Sequence, residues 1–103
     1  MNETDIFRAL ADPTRRALYQ RLAARELSVK DLRDGIEVSQ PAVSQHISVL
    51  KGAGLLEERR DGRFTYYRAA PGALEPLSRW IERYSAFWPQ RVEALRDVLK
   101  EIK

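Results

Sequence analysis

The chain has 103 residues, 44% hydrophobic and 32% charged, a composition typical of one soluble globular domain rather than a disordered segment. It contains no cysteine, which excludes disulfides, zinc–thiolate sites and thiol redox switches. No apolar run approaches the roughly 20 residues that span a bilayer, and the N-terminus lacks a signal-peptide core, so we expect a cytoplasmic protein with no membrane partner. The net charge of +3 does not by itself distinguish a nucleic-acid binder from an ordinary basic protein.

The first third of the chain predicts three short helices. Residues 4–11 form the first. Asp12 and Pro13 begin the second, because aspartate caps free amides and proline suits the first helical position. The third begins at Ser28 and stops at Gly35. The residues predicted to face the core are Ile6, Phe7, Leu10, Ala17, Leu18, Tyr19, Leu22, Val29 and Leu32.

The segment SQPAVSQHISVLKGAGLL predicts a fourth helix over about 39–53, capped by Ser39. Val43, Ile47 and Leu50 fall on one face, which is predicted to be buried. Short amides and hydroxyls, without carboxylates, occupy the opposite face; they suit base edges and phosphates in the DNA major groove. The alternative is the polar solvent face of an ordinary bundle helix. The predicted DNA-facing residues of this helix are Gln40, Ser44, Gln45, Ser48 and Lys51.

Residues 55–69, LLEERRDGRFTYYRA, predict a β-hairpin. Two runs of β-formers flank Asp61-Gly62, a pair that favours a two-residue turn in which both residues have positive φ. Arginines at a hairpin tip can reach phosphates or the minor groove. Alternatively, they discourage edge-to-edge strand pairing. The arginines of this segment are Arg59, Arg60, Arg63 and Arg68.

These elements together predict a winged helix-turn-helix. Two helices joined by a tight link containing Gly35 give the helix-turn-helix over residues 28–53. The hairpin directly after the second helix is the wing. We therefore predict a mainly α fold with a β-hairpin wing, as a single domain over residues 1–103.

Residues 72–102 predict one long helix with an apolar seam longer than a domain of this size needs for its own core. A two-fold partner is the simplest cover for such a seam, so we expect a homodimer with Phe7 and Leu10 joining the interface. Pro89 predicts a kink or break near residues 85–88. The seam consists of Leu74, Leu77, Ile81, Tyr84, Trp88, Leu95, Leu99 and Ile102.

The chain resembles the ArsR family of winged-helix repressors over nearly its whole length. The resemblance rests on ALADPTRRALYQRL, LSVKDL, VSQPAVSQHISVLKGAGLLEERRDGRFTYYRA and a Trp-rich tail, which is closest to the branch with a W...Y..FW..R terminal helix. It implies a homodimer that binds an operator, represses transcription and releases DNA when a signal arrives. The residues that match the family's DNA-contacting positions are Ser39, Gln40, Ser44, Gln45, His46, Arg60 and Arg63.

The sequence departs from the family's metal sites. Where the family has ELCVCDL, this chain has ELSVKDL, so Ser28 and Lys30 replace both thiolates. Residues 73–103 contain no histidine for the alternative zinc site. We therefore expect no metal and no cofactor.

His46, the single histidine, has no nearby His or Cys partner and no nucleophile at a suitable spacing. We expect it to orient a phosphate contact or to pack between the recognition helix and the core. With no Gly-rich phosphate loop and no convincing acid/base pair, the chain is not expected to be an enzyme.

Two alternative functions stay open at this point. The polar helix face could dock a protein partner instead of DNA. A small organic effector could also enter between the terminal helix and the core near Trp80, Phe87 and Trp88, although these aromatic residues fit a dimer core better.

Overall fold

The computed structural model describes residues 2–84 and 89–101, and within these ranges the chain is mainly helical with a β-hairpin, as predicted. None of the helices in this part is long and apolar enough to cross a membrane. The elements are α1 (Glu3–Leu10), α2 (Pro13–Ala24), β1 (Leu27–Ser28), α3 (Val29–Arg33), α4 (Gln40–Gly52), β2 (Leu56–Asp61), β3 (Phe64–Ala69), α5 (Glu75–Arg83) and α6 (Pro89–Glu101).

Side-chain caps determine where the first helices begin. The Asp12 carboxylate accepts hydrogen bonds from the amides of Thr14 and Arg15 at 2.8 and 3.1 Å. The bond from the Arg15 amide is the main reason that the pKa of Asp12 lies below its ordinary value of 3.8. At the start of α3, Ser28 Oγ accepts from the Asp31 amide, and the Asp31 carboxylate accepts in return from the Ser28 amide. The predicted starts of α2 and α3 are confirmed.

The three strands form one antiparallel sheet in the order β1-β3-β2. In the hairpin, Asp61 pairs with Phe64, so the turn residues are Gly62 and Arg63 rather than Asp61 and Gly62. Gly62 has a φ of +62°, and no described non-glycine residue has a positive φ. The predicted Asp-Gly turn is therefore wrong by one residue. Glycine in the first turn position suits a type II′ turn and leaves Asp61 in extended conformation.

The core lies where α1, α2, α4 and α5 meet the inner part of the sheet. Val43, Ile47 and Leu50 of α4 are buried, as predicted. Ala17 is exposed, which corrects its predicted place in the core, and Phe7 is 43% exposed. The largest fully buried side chains are Ile6, Leu18, Leu22, Leu32, Val43, Leu50 and Leu55.

The C-terminal segment differs from the single helix predicted over residues 72–102. Residues 71–74 form turns, in which Gly72 has a φ of +71°. The helix α5 ends at Arg83, and α6 begins at Pro89, a first-turn position that proline tolerates. The predicted kink or break near residues 85–88 falls outside the described residues, and so do the seam residues Trp88 and Ile102.

Candidate nucleic-acid interface

The link between α3 and α4 sets the direction of the recognition helix. Gly35, with a φ of +79°, lets the chain reverse after α3, a conformation that glycine adopts without steric cost. Ser39 then caps α4, since its Oγ accepts a hydrogen bond from the Ala42 amide at 3.3 Å. Because the apolar stripe of α4 is buried, the opposite face of the helix is directed to solvent.

The outward face of α4 contains the polar residues that the sequence predicted. Gln40, Ser44, Gln45, Ser48 and Lys51 are all exposed. Within the described residues, the side chains of Ser44, Gln45 and Ser48 have no hydrogen-bond partner, so their donors and acceptors are available to a ligand. Gln40 Oε1 accepts from the Arg33 guanidinium at 3.2 Å. The helix itself contains no acidic residue.

Lys51 links the end of α4 to the wing. Its Nζ lies 3.2 Å from Glu58 Oε2, and the Tyr67 hydroxyl donates to Glu58 Oε1 at 3.0 Å. The hydrogen bond from Lys51, followed by that from Tyr67, holds the pKa of Glu58 below its ordinary value of 4.5. The charge of this predicted DNA-contacting lysine is therefore partly balanced within the protein.

Two of the four wing arginines, Arg59 and Arg68, form ion pairs with acidic side chains of the protein. The Arg59 guanidinium donates to both carboxylate oxygens of Glu26, the shortest distance being 2.7 Å, and lies 4.7 Å from the centre of the Tyr66 ring. The hydrogen bond from Arg59 is also the main cause of the lowered pKa of Glu26. Arg68 pairs with Glu57 across the strands at 2.7 Å. These contacts stabilise the wing and leave the two arginines less available to a polyanion.

The other two wing arginines are the ones predicted to contact DNA. Arg60 and Arg63 are exposed and form no hydrogen bond or ion pair with any residue in the described ranges. Arg63 lies in the turn itself. Phe64, next to it, is 57% exposed, a feature that the sequence analysis missed although its place beside the Gly62-Arg63 turn is a signal. The tip of the wing therefore presents two available cations and one apolar ring.

His46 lies at the boundary between the recognition helix and the first two helices. Its side chain is half-buried, and its Nδ1 is 3.5 Å from Arg15 Nη1. The same guanidinium donates to the carbonyl oxygens of Ala9 and Arg8 at 2.5 and 3.1 Å. This agrees with one of the two roles predicted for His46, packing at the boundary. The partner Arg15 was not predicted, since it is distant in sequence.

The described residues include no group of three or more His, Cys, Asp or Glu side chains that could hold a metal ion. Ser28, which matches the first cysteine of the family's ELCVCDL segment, is 8% exposed and its hydroxyl caps α3. Lys30, which matches the second, is exposed.

The predicted dimer residues fall into three groups. Leu10, Leu77 and Ile81 are buried in the core of the single chain, because α1 packs against α5. This corrects the expected continuous exposed seam. Trp88 lies outside the described residues. The remaining predicted residues are exposed or partly exposed, namely Phe7, Tyr84, Leu95 and Leu99.

An aromatic cluster marks the exposed side of α1 and α5. The Phe7 ring meets the Trp80 ring edge-on at 5.2 Å, and the Trp80 and Tyr84 rings are 5.0 Å apart. On α6, Leu95 and Val98 are 44% and 52% exposed. Among the described residues, these side chains form exposed apolar surface on α1, α5 and α6.

Comparisons with known proteins agree with this architecture. Residues 10–59 match the family model described as a helix-turn-helix domain. The chain is 44% identical over 93 residues to the HTH-type transcriptional regulator Rv2034 of Mycobacterium tuberculosis, covering 90% of this chain and 84% of that protein. It is 30% identical over 77 residues to the transcriptional repressor SdpR of Bacillus subtilis, covering 75% of this chain and 86% of that protein.

Solved structures give the same result. An ArsR-like transcriptional regulator from Rhodococcus sp. RHA1 superposes with a TM-score of 0.73 at 32% identity, over 92% of this chain and 90% of that one. A possible transcriptional regulator for arsenical resistance superposes with a TM-score of 0.73 at 39% identity, over 87% and 94% of the two chains.

Proposed function

Because the chain belongs to the ArsR family of winged helix-turn-helix transcriptional regulators, which bind DNA and are not enzymes, we propose that it is a cytoplasmic, homodimeric repressor of a near-palindromic operator. The observation that carries the proposal is the outward face of α4, where Ser44, Gln45 and Ser48 are exposed and unbonded within the described part of the chain. That SdpR is named a transcriptional repressor supports the direction of regulation.

In this proposal the recognition helix reads base edges. A glutamine side chain such as that of Gln45 can donate to and accept from one adenine at the same time, which gives base discrimination. The hydroxyls of Ser44 and Ser48 add donors and acceptors of shorter reach. Gln40, Ser39 and His46 lie closer to the first turn or to the core, and we assign them to phosphate contacts and to the orientation of the helix.

The wing supplies attraction that does not depend on sequence. Arg60 and Arg63 are exposed and form no hydrogen bond or ion pair among the described residues, so each can neutralise a phosphate and release its counterion. Lys51 contributes less in this scheme, since Glu58 lies 3.2 Å from its ammonium.

The homodimer in this proposal is built on the exposed apolar side chains of α1, α5 and α6. The cluster of Phe7, Trp80 and Tyr84, with Leu95 and Val98, is the surface that a second copy would cover. A two-fold dimer places two recognition helices about one DNA turn apart, roughly 34 Å, and this spacing is the reason for a near-palindromic operator.

The experiment that tests DNA binding compares two variants that add the same charge at different places. Ser44→Glu adds a carboxylate to the outward face of α4, and Ala24→Glu adds one to the exposed end of α2. We expect wild type and Ala24→Glu to bind random duplex DNA at low salt, and Ser44→Glu to bind much more weakly because its carboxylate repels phosphates. No binding by the wild type, or equal binding by both variants, would overturn the proposal.

A further inference from the structure

A cleft of about 750 Å³ lies between α2, the end of β3, the turn that follows it, α5 and α6. Its volume is within the range of pockets that hold small organic ligands. The cleft is on a different side of α5 from the place expected for an effector, since Trp80 does not line it. Its walls are partly apolar, with Ala23, Ala73, Leu74 and Leu99 among the lining residues, and partly polar.

Tyr19 provides an unused hydrogen-bond donor in this cleft. Its side chain is only 4% exposed, and its hydroxyl has no hydrogen-bond partner in the described residues. No described side-chain nitrogen or oxygen is both sealed from solvent and unbonded, so the Tyr19 hydroxyl keeps some contact with solvent, and Tyr19 is one of the residues that line the cleft. Burial raises the pKa of Tyr19 above its ordinary value of 10.0, so the hydroxyl is a protonated donor at neutral pH, as it would be at the ordinary value.

The charges at the rim favour an anionic ligand group. Glu82 lies 3.8 Å from Arg96, and Glu75 lies 3.6 Å from Arg79, so both rim carboxylates are balanced by arginines. Lys100, which also lines the cleft, forms no hydrogen bond or ion pair with any residue in the described ranges. The cleft therefore combines partly apolar walls, one hydroxyl donor on a largely buried side chain and one available cation.

We propose that this cleft binds an apolar organic monocarboxylate, with an acceptor atom of the ligand on the Tyr19 hydroxyl and its charge near Lys100, and that occupancy weakens DNA binding. The regulatory half of this inference rests on the proposed function. Ala69, the last residue of β3, and Ala70, which follows it, line the same cleft, so a ligand there contacts the base of the hairpin whose other strand carries Arg60 and whose turn carries Arg63. A ligand regulates only if it binds the DNA-bound and free conformations with different affinity.

Helix α6 can line the cleft with one face and contact a second copy of the chain with another. On α6, Leu99 and Lys100 follow Arg96 by three and four residues, and all three line the cleft. Leu95 and Val98, which we assign to the dimer, lie on an adjacent face and are exposed.

The test uses 1-naphthoate as the probe, with 1-naphthamide as its uncharged counterpart, and measures binding by calorimetry. Ala23→Phe fills the cleft, and Ala24→Phe adds the same ring to the exposed neighbouring position. We expect saturable one-to-one binding of naphthoate to wild type and Ala24→Phe, weaker binding of the amide, and none to Ala23→Phe. Removal of one hydrogen bond by Tyr19→Phe should weaken binding roughly three- to tenfold. Unsaturable binding, or equal binding by both phenylalanine variants, would overturn the site.

The regulatory half has a separate readout. At saturating naphthoate, the affinity of the wild type for duplex DNA should fall by at least about fivefold, the lower end of ordinary coupling, and that of Ala23→Phe should not change. Naphthoate that binds in the cleft without a change in DNA affinity would overturn the regulation. DNA binding without naphthoate is measured first, so a failure of the proposed function is recognised independently.

Discussion

Lys51 Nζ, in the last turn of the recognition helix, lies 3.2 Å from Oε2 of Glu58 in the first wing strand. The other oxygen of this carboxylate accepts from Tyr67 of the second wing strand at 3.0 Å. One carboxylate thus joins the two elements that we assign to DNA, the helix that reads bases and the hairpin that contacts the backbone. These contacts restrain the relative position of the two elements in the free protein, and such preorganisation lowers the entropic cost of binding.

The first prediction concerns stability in acid. Glu26 and Glu58 both have a pKa below the ordinary value of 4.5, because Arg59 and Lys51 respectively hydrogen-bond to their charged forms. A depressed carboxyl pKa stabilises the fold above the unfolded-state pKa, and this contribution is lost as pH falls through the folded-state pKa. As the pH is lowered below about 4.5, the midpoint of unfolding by denaturant should therefore decrease. In the double variant Glu26→Gln/Glu58→Gln, this decrease should be less steep. An unchanged pH profile in that variant would contradict the assignment; Glu37→Gln, in an exposed loop, is the control.

The second prediction concerns the core beneath the recognition helix. Leu50 is completely buried, whereas its neighbour Val49 is 42% exposed. Leu50→Ala leaves a cavity and should lower the free energy of unfolding by about 2–5 kcal/mol. Val49→Ala should change it by only about 0.5 kcal/mol. Urea denaturation followed by circular dichroism measures both, and similar losses for the two variants would mean that the helix is oriented differently.

The third prediction separates the two kinds of wing arginine. Arg63 is unpaired within the described residues, and Arg68 is 2.7 Å from Glu57. Arg63→Ala should weaken binding to operator and random DNA alike and reduce the slope of log affinity against log salt by about one. Arg68→Ala should alter that slope much less. Salt titrations by fluorescence anisotropy provide the comparison, and a larger slope change for Arg68→Ala would reverse the assignment.

The fourth prediction concerns assembly. Leu95 is 44% exposed on α6, so a glutamate there should not disrupt the core of one chain. Leu95→Glu should produce a folded monomer that no longer binds specific DNA, because charge at an apolar interface is costly to bury. Ala24→Glu, at the exposed end of α2, should stay dimeric. Analytical ultracentrifugation at micromolar concentration measures the oligomeric state of all three proteins. A wild-type monomer that binds its operator tightly would refute the dimer.

Local patterns in the sequence predicted the elements that position the site. The four-and-three spacing of Val43, Ile47 and Leu50 identified the buried stripe of α4, and with it the outward polar face. Capping residues such as Asp12 and Ser28 identified the starts of helices, because a capping hydrogen bond joins residues only two or three positions apart in the sequence.

Contacts between distant residues could not be predicted in this way. Arg15 meets His46 and Glu26 meets Arg59 across 31 and 33 residues, and no local period encodes such pairs. Leu77 and Ile81 have the spacing of an interface seam and of a core stripe alike, and only the packing of α1 on α5 distinguishes them. The wing turn was misplaced by one residue because Asp-Gly and Gly-Arg are both acceptable turn pairs, and strand register decides between them.

The central claim, that the outward face of α4 reads DNA sequence, is tested most directly by Gln45→Ala. An operator is first selected from a random DNA pool with the wild type, and the affinities of both proteins for this operator and for random duplex are then measured at one salt concentration. We predict a loss of about 1–3 kcal/mol on the operator and a much smaller loss on random DNA, because a base contact adds little to nonspecific binding. Equal losses on both DNAs, or no loss on the operator, would contradict the claim.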